Sequence, residues 1–146
     1  MSRFSKLCII LLRVAVGWYL LYMGISAMMQ PAWSIIPYIQ NAGTFNSFYS
    51  ILNDPAYSVA LSYVIKGLLI VSGALIMIGL FVRIASLVAC VVMLFFYFPL
   101  LRFPSAGDGY YIVNNYLIIA LTSLYLYAVR AGEYFGFGSM FKFSRY

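Results

Sequence analysis

Residues 57–102 read YSVALSYVIKGLLIVSGALIMIGLFVRIASLVACVVMLFFYFPLLR. Two apolar runs, 57–80 and 84–101, flank a short turn carrying Gly79 and Arg83. A helix of about 20 residues, rising 1.5 Å per residue, crosses the roughly 30 Å hydrocarbon core of a bilayer. Lipid offers the backbone no hydrogen bonds, so such runs must satisfy their own amides and carbonyls as helices. The short turn makes the pair a tight transmembrane hairpin.

Two further runs extend this reading outward. Residues 7–29 contain one charge, Arg13, and 111–129 contain none. The fold class expected is therefore an all-α membrane protein, a bundle of four transmembrane helices. Proline punctuates the ends: Pro31 and Pro37 follow the first run, Pro55 precedes the second, and Pro99 and Pro104 bracket the exit of the third. Proline lacks an amide hydrogen and disrupts the preceding turn, so it gathers at helix ends. Residues 30–56 are long and nearly uncharged, with Trp33, Tyr38, Phe45, Phe48 and Tyr49. They suggest a cap on the membrane surface, either an ordered loop or one with a short helix over 44–52. Arg3 and Lys6 resemble the start of a signal peptide. Arg13 interrupts the apolar stretch, however, and no small-residue cleavage site follows, so the first run reads as an uncleaved helix.

Composition agrees. Hydrophobic residues are 65% of the 146 and charged residues 8%, against roughly 45–50% and about 25% in soluble domains. The net charge of +6 comes from single basic residues at the ends of apolar runs. They form no cluster interleaved with exposed aromatics, which argues against a nucleic-acid partner. Arg3, Lys6, Arg83, Arg130, Lys142 and Arg145 fall on one side of the bundle, and Arg102 alone on the other. That asymmetry places both termini in the cytoplasm, and Asp54 and Asp108 outside. Tyrosines near the run ends, Tyr57, Tyr97, Tyr110, Tyr111 and Tyr134, fit an interfacial aromatic belt.

The chain has no histidine and two isolated cysteines, Cys8 and Cys90. The usual haem ligand, the commonest metal ligand and the usual general base are thus missing, and no metal or haem site is expected. Gly17 and Gly24 share a face of the first helix, and Gly67, Gly73 and Gly79 line the second. Small residues let membrane helices approach closely.

Two intramembrane charges stand out, because each costs at least ~2.5–3.5 kcal/mol on insertion scales. Arg13 lies about 10 Å from the cytoplasmic helix end, near enough to reach lipid phosphates or to turn inward. Lys66 lies about 14 Å beyond Tyr57, too deep to snorkel, and should make a buried polar contact. Asp108, Tyr111, Asn114 and Asn115 lead into the fourth run in the same outer half, with Thr122 and Tyr125 on the face of Asn115. Lys66, Asp108, Tyr111, Asn114 and Asn115 form the candidate polar site. They would serve either as a structural hydrogen-bond cluster or as a ligand site.

LLRVAVGWYLLYMGISAMMQPAW resembles the opening helix of the DoxX family, KGLLIVSGALIMIGLFVRIASL its helical hairpin, and GDGYYIVNNYLI the start of its fourth helix. The resemblance implies a single four-helix domain over residues 1–146 in a prokaryotic cell membrane. It also implies association with quinone-dependent redox complexes: relatives include the small subunit of thiosulfate:quinone oxidoreductase and terminal quinol oxidase subunits. Arg13, Pro31, Trp33, Arg83 and Asn114 match the family pattern. Relatives often carry histidine at the position of Tyr19, glutamate at Met23 and lysine at Ala27. In the fourth helix their lysine, asparagine and glutamate fall on Asn115, Tyr116 and Ile119. Much of the family's intramembrane ionisable set is neutral here.

Three functions remain open. One is a quinone-associated subunit of a redox complex, with noncovalent quinone as its ligand and other membrane subunits as partners. The second is a structural or assembly subunit with no active site of its own, which the neutral positions favour. The third is an oligomeric conduit for ions or small molecules, with Lys66 attracting anions. Catalysis by the isolated chain has the least support.

Overall fold

The computed structural model describes residues 2–133. Tyr134, Lys142 and Arg145 of the belt and orientation arguments lie outside them. Three helices are long and apolar enough to cross a membrane: α1 (Arg3–Met29), α4 (Pro55–Ile78) and α5 (Val82–Leu100). Two short helices, α2 (Ile36–Ile39) and α3 (Asn46–Leu52), lie in the connection between α1 and α4. After α5 comes a two-residue antiparallel pair, β1 (Leu101–Arg102) with β2 (Ser105–Ala106). Then follow α6 (Asn115–Ala128) and a 3-10 turn (Ala131–Glu133). Leu11, Val71 and Val91 point outward from the long helices, 56–60% exposed, as lipid contact requires.

Helix ends follow local chemistry. Ser2 caps α1 through the Ser5 amide, and Asp54 caps α4 through Ala56, with Pro55 in the first turn. Side-chain oxygens satisfy amides that have no intrahelical acceptor. Gly79 closes α4 at φ +85°, a left-handed turn that glycine adopts without steric cost, and three residues later α5 begins.

The fourth apolar run departs from expectation. Its helix has 14 residues, about 21 Å long, and starts at Asn115 instead of 111. Tyr111 bridges to Ser105, Ile112 takes a left-handed φ of 58°, and Asn114 is extended while its side chain accepts from Leu117 N. The cap residue and the hairpin contacts thus claim four residues that hydropathy alone assigned to the helix. Tyr97 also departs: it is buried, and its hydroxyl donates to Ile112 O at 2.7 Å, so it serves no aromatic belt. Tyr57 and Tyr111 are well exposed.

The helices contact one another in the ring order α1, α4, α5, α6, and α1 meets α6 only sparsely. The closest approach is between α1 and α4. A Cβ on Gly17 would lie 2.7 Å from Met77 N, one on Gly73 2.5 Å from Leu21 N, and one on Gly24 2.9 Å from Ile70 N. These glycines let the two backbones touch, whereas Gly67 faces open space. The buried residues of α5 and α6 include small ones, Ala85, Ser86 and Ala89 on one helix and Ala120 and Ser123 on the other, beside larger ones such as Phe96 and Leu126.

Pro99 sits in the last turn of α5 and cannot donate to the carbonyl of Phe95. The Tyr49 hydroxyl of α3 donates there instead, at 3.0 Å. Burial raises the Tyr49 phenol pKa above its ordinary value, so it keeps that proton. Gly43 N donates to Pro99 O and Thr44 Oγ1 to Leu101 O. The cap is therefore bolted to the end of α5 by three carbonyls, one of them left without a helical donor by the proline and the others at the helix terminus.

Two outcomes follow. Gly73→Leu should lower stability by about 3 kcal/mol or separate α1 from α4, since overpacking commonly costs 1–3 kcal/mol; thermal unfolding in detergent would register it. Tyr49→Phe should cost about 1–3 kcal/mol, the penalty for an unsatisfied buried carbonyl. Proteolysis in the cap should then become faster without loss of helix content by circular dichroism.

Candidate functional site

The α1–α4 crossing sets the depth of Lys66. Gly17 lies against Met77, Leu21 against Gly73 and Gly24 against Ile70, a regular antiparallel register. Carried toward the C-terminal end of α1, it brings Lys66 level with Met28. Trp33 lies just beyond that end. Lys66 is 5% exposed, with its Nζ 5.2 Å from the Trp33 ring centroid and 5.3 Å from that of Tyr63. Among the described residues the ammonium has no carboxylate partner and no hydrogen bond. One turn outward, Ser62 Oγ accepts from Ile35 N at 3.1 Å and ties the cap over the lysine. Desolvated cation–π contacts contribute about 2 kcal/mol each. Two of them are of the same order as the ~2.5–3.5 kcal/mol cost of a charge in a span.

The expected acceptors lie elsewhere. Asn114 caps α6 through Leu117 N and donates from Nδ2 to Ala106 O at 3.2 Å. Asn115 is exposed, and Tyr111 is 76% exposed. Asp108 lies in the outer loop. The reason is azimuthal: α4 and α6 stand across the diagonal of the helix ring. Sequence spacing gave all five residues a common depth but could not say which way each faces.

What surrounds Lys66 is aromatic. Trp33 packs on Tyr38 (6.3 Å between centroids) and on Phe96 (6.4 Å). Tyr38 meets Phe96 edge-on at 5.1 Å, and Phe96 stacks on Tyr116 at 5.7 Å with an interplanar angle of 26°. The phenols of Tyr19, Tyr38 and Tyr116 lie close enough to interact electrostatically. Four parts of the chain contribute: α1, the cap, α5 and α6. Phe96, fully buried, is the hub. Sequence reading absorbed these rings into general aromatic content. A signal was present nonetheless: Tyr19 and Tyr116 fill two positions where DoxX relatives often carry polar groups, while Met23 and Ile119, two more, pack half-buried against the same core.

On the outer side, Tyr38 also lines a cavity of about 410 Å³ with Asn41, Arg102, Ser105 and Asp108. The Arg102 guanidinium donates to Asn41 O at 3.0 Å. Of the candidate polar residues, Asp108 alone reaches this cavity, and Tyr38 connects it to the aromatic cluster. Chemically the region offers one buried ammonium, flat aromatic side chains, three phenols and, beyond Tyr38, a cavity with a mixed-charge lining. Among the described residues no group of His, Cys, Asp or Glu could hold a metal.

Arg13 belongs to the opposite end. It is 4% exposed and donates from Nη1 to Ala131 O at 3.2 Å, in the turn after α6. Instead of snorkelling, it turns inward and ties α1 to the end of the chain's last described helix. The α1–α4 register puts it level with the Gly79–Val82 turn.

No curated protein and no solved structure matches this chain. Its residues 8–100, from the first helix to the end of α5, match the DoxX family model. The match ends before the fourth-helix stretch. It covers more than half of the sequence, and its helices occupy the expected places. The chain is a membrane protein and belongs to the DoxX family.

Proposed function

We propose that this protein is a small quinone-associated subunit of a larger membrane redox assembly, and that it receives the quinone head group beside Lys66. The supporting observation is the ammonium itself: buried, held between Trp33 and Tyr63, and without an acceptor among the described residues. A carbonyl oxygen of an uncharged, flat, conjugated ring is a suitable acceptor, and aromatic walls suit the ring faces. When bound, a quinone supplies reversible two-electron, two-proton redox capacity. In this reading Lys66 donates a charge-assisted hydrogen bond. Trp33 and Tyr63 hold the ammonium in place, and Phe96 and Tyr116 exclude water from the apolar side. Membership of the DoxX family, often linked to quinone oxidoreductases, points the same way.

The topology proposed is four crossings, with both termini in the cytoplasm of a prokaryote and the Lys66 end outward. The 14 residues of α6 span about 21 Å, short of the ~30 Å core, and residues 111–114 supply the rest of the crossing. Irregular backbone at that depth needs partners, and Ile112 has them in Pro104 O and the Tyr97 hydroxyl. The apolar outer faces, with Trp18, Tyr22, Ile118 and Leu121 exposed, suit lipid and neighbouring subunits. A purely structural role is the competing reading, favoured by the neutral residues at Tyr19, Met23, Ala27 and Ile119.

Lys66→Met separates the two. The change should leave stability equal or raised, because it removes a buried charge without opening a hole. The assembly purified in mild detergent should then lose its co-purifying quinone. Quinone retained at the wild-type ratio would refute the site, and a partner complex that never carries quinone would favour the structural reading. A periplasm-dependent reporter fused at the C-terminus should be silent and one after Ser105 active; the reverse pattern would overturn the orientation.

A further inference from the structure

At the end of the bundle opposite Lys66, the α4–α5 turn, the start of α5 and the end of α6 enclose a groove of about 610 Å³. Ile84, Leu87 and Val88 form its apolar wall, and Arg83, Tyr127 and Arg130 form its polar rim. Ile84 and Leu87 are 66% and 46% exposed, so the wall faces the hydrocarbon sideways. The Arg83 guanidinium lies 5.1 Å from the Tyr127 ring centroid. Stacking on the ring uses the face of the guanidinium and leaves its in-plane N–H donors outward. Among the described residues those donors make no hydrogen bond. No acidic side chain appears among the described residues of the rim.

We infer that this groove is a binding site for an anionic phospholipid of the adjacent leaflet. Its phosphate sits at the Arg83 guanidinium, with Arg130 adding positive charge to the same rim, and an acyl chain lies along Ile84, Leu87 and Val88. Two observations fix the occupant together. The apolar wall opens toward lipid, which selects a molecule with a hydrocarbon chain. The rim carries two cations level with the helix ends, where lipid phosphates lie, which selects a negative head group. Neither observation depends on the quinone reading or on which face of the membrane this end occupies. The site also bears on the fold: Arg83 at the start of α5 stacks on Tyr127 of α6, so a phosphate held there would steady the contact between the two helices.

The test uses the full-length protein in detergent with equal amounts of phosphatidylglycerol and phosphatidylcholine, read by native mass spectrometry. The wild type should retain phosphatidylglycerol in preference by about tenfold or more, as two basic side chains near a charged lipid surface imply. Arg83→Gln with Arg130→Gln should reduce the preference to about twofold or less at unchanged helix content. Arg102→Gln, at the far end, should keep it. Leu87→Trp fills the groove without touching the charges, and should reduce retained lipid of both kinds even if the double variant folds poorly. An equal lipid preference in wild type and double variant would overturn the inference. So would full displacement of the lipid by inorganic phosphate, or a second copy of the chain retained in its place.

Discussion

The contact on which the rest depends is the backbone-to-backbone approach of α1 and α4. Without a hydrophobic driving force between helices in lipid, association relies on van der Waals contact and close fit. Gly17, Gly24 and Gly73 supply it by removing the atoms that would hold the helices apart. Because a helix surface repeats every seven residues or so, the contact also fixes a register. That register decides the meaning of both intramembrane charges. It carries Lys66 to the outer end of α1, under the cap, and Arg13 down to the α4–α5 turn.

The two charges are then stabilised in different ways. Arg13 has planar, directional donors, and it reaches a carbonyl in a helix-terminal turn, where unpaired backbone oxygens concentrate. Lys66 has a compact ammonium and lies among rings. The arginine closes the bundle at one end. The lysine at the other end is buried between rings, with no hydrogen-bond acceptor among the described residues. The cap makes this second environment possible. It delivers Trp33 and Tyr38 to the bundle and is itself held by Tyr49, on the carbonyl that Pro99 left without a donor. A residue that breaks a helix has thereby become the anchor of the segment above it.

Family membership adds a contrast. Positions where DoxX relatives often carry ionisable or amide side chains do not all point to solvent or lipid here. Met23, Tyr116 and Ile119 pack against the core, and the Tyr19 phenol lies near that of Tyr38. Aromatic and apolar groups fill the space instead, and the remaining interior cation of the outer half is Lys66. The rings packed around its ammonium set the Lys66 region apart from ordinary core.

The sequence by itself determined the spans, because hydrocarbon imposes a length and a polarity that any reader of residues 7–29, 57–80 and 84–101 can measure. It determined the hairpin turn, since glycine and arginine interrupt the apolar run there. The close-approach glycines were legible from their spacing, while the cap left an ordered loop and a short helix over 44–52 equally open until the structure showed α3. Lys66 was legible as an interior charge because its distance from the helix end follows from the rise per residue. Its partners were not. Asn114, Asn115, Asp108 and Tyr111 share its depth, yet the first two belong to a helix across the diagonal and the others to the outer loop. Which elements stand side by side depends on contacts between residues far apart in the chain, and helical periodicity within one element carries no record of them. The aromatic cluster from Trp33 to Tyr116 was hidden for the same reason: its rings come from four separate segments, and only the packing of α5 between α4 and α6 brings them around Phe96.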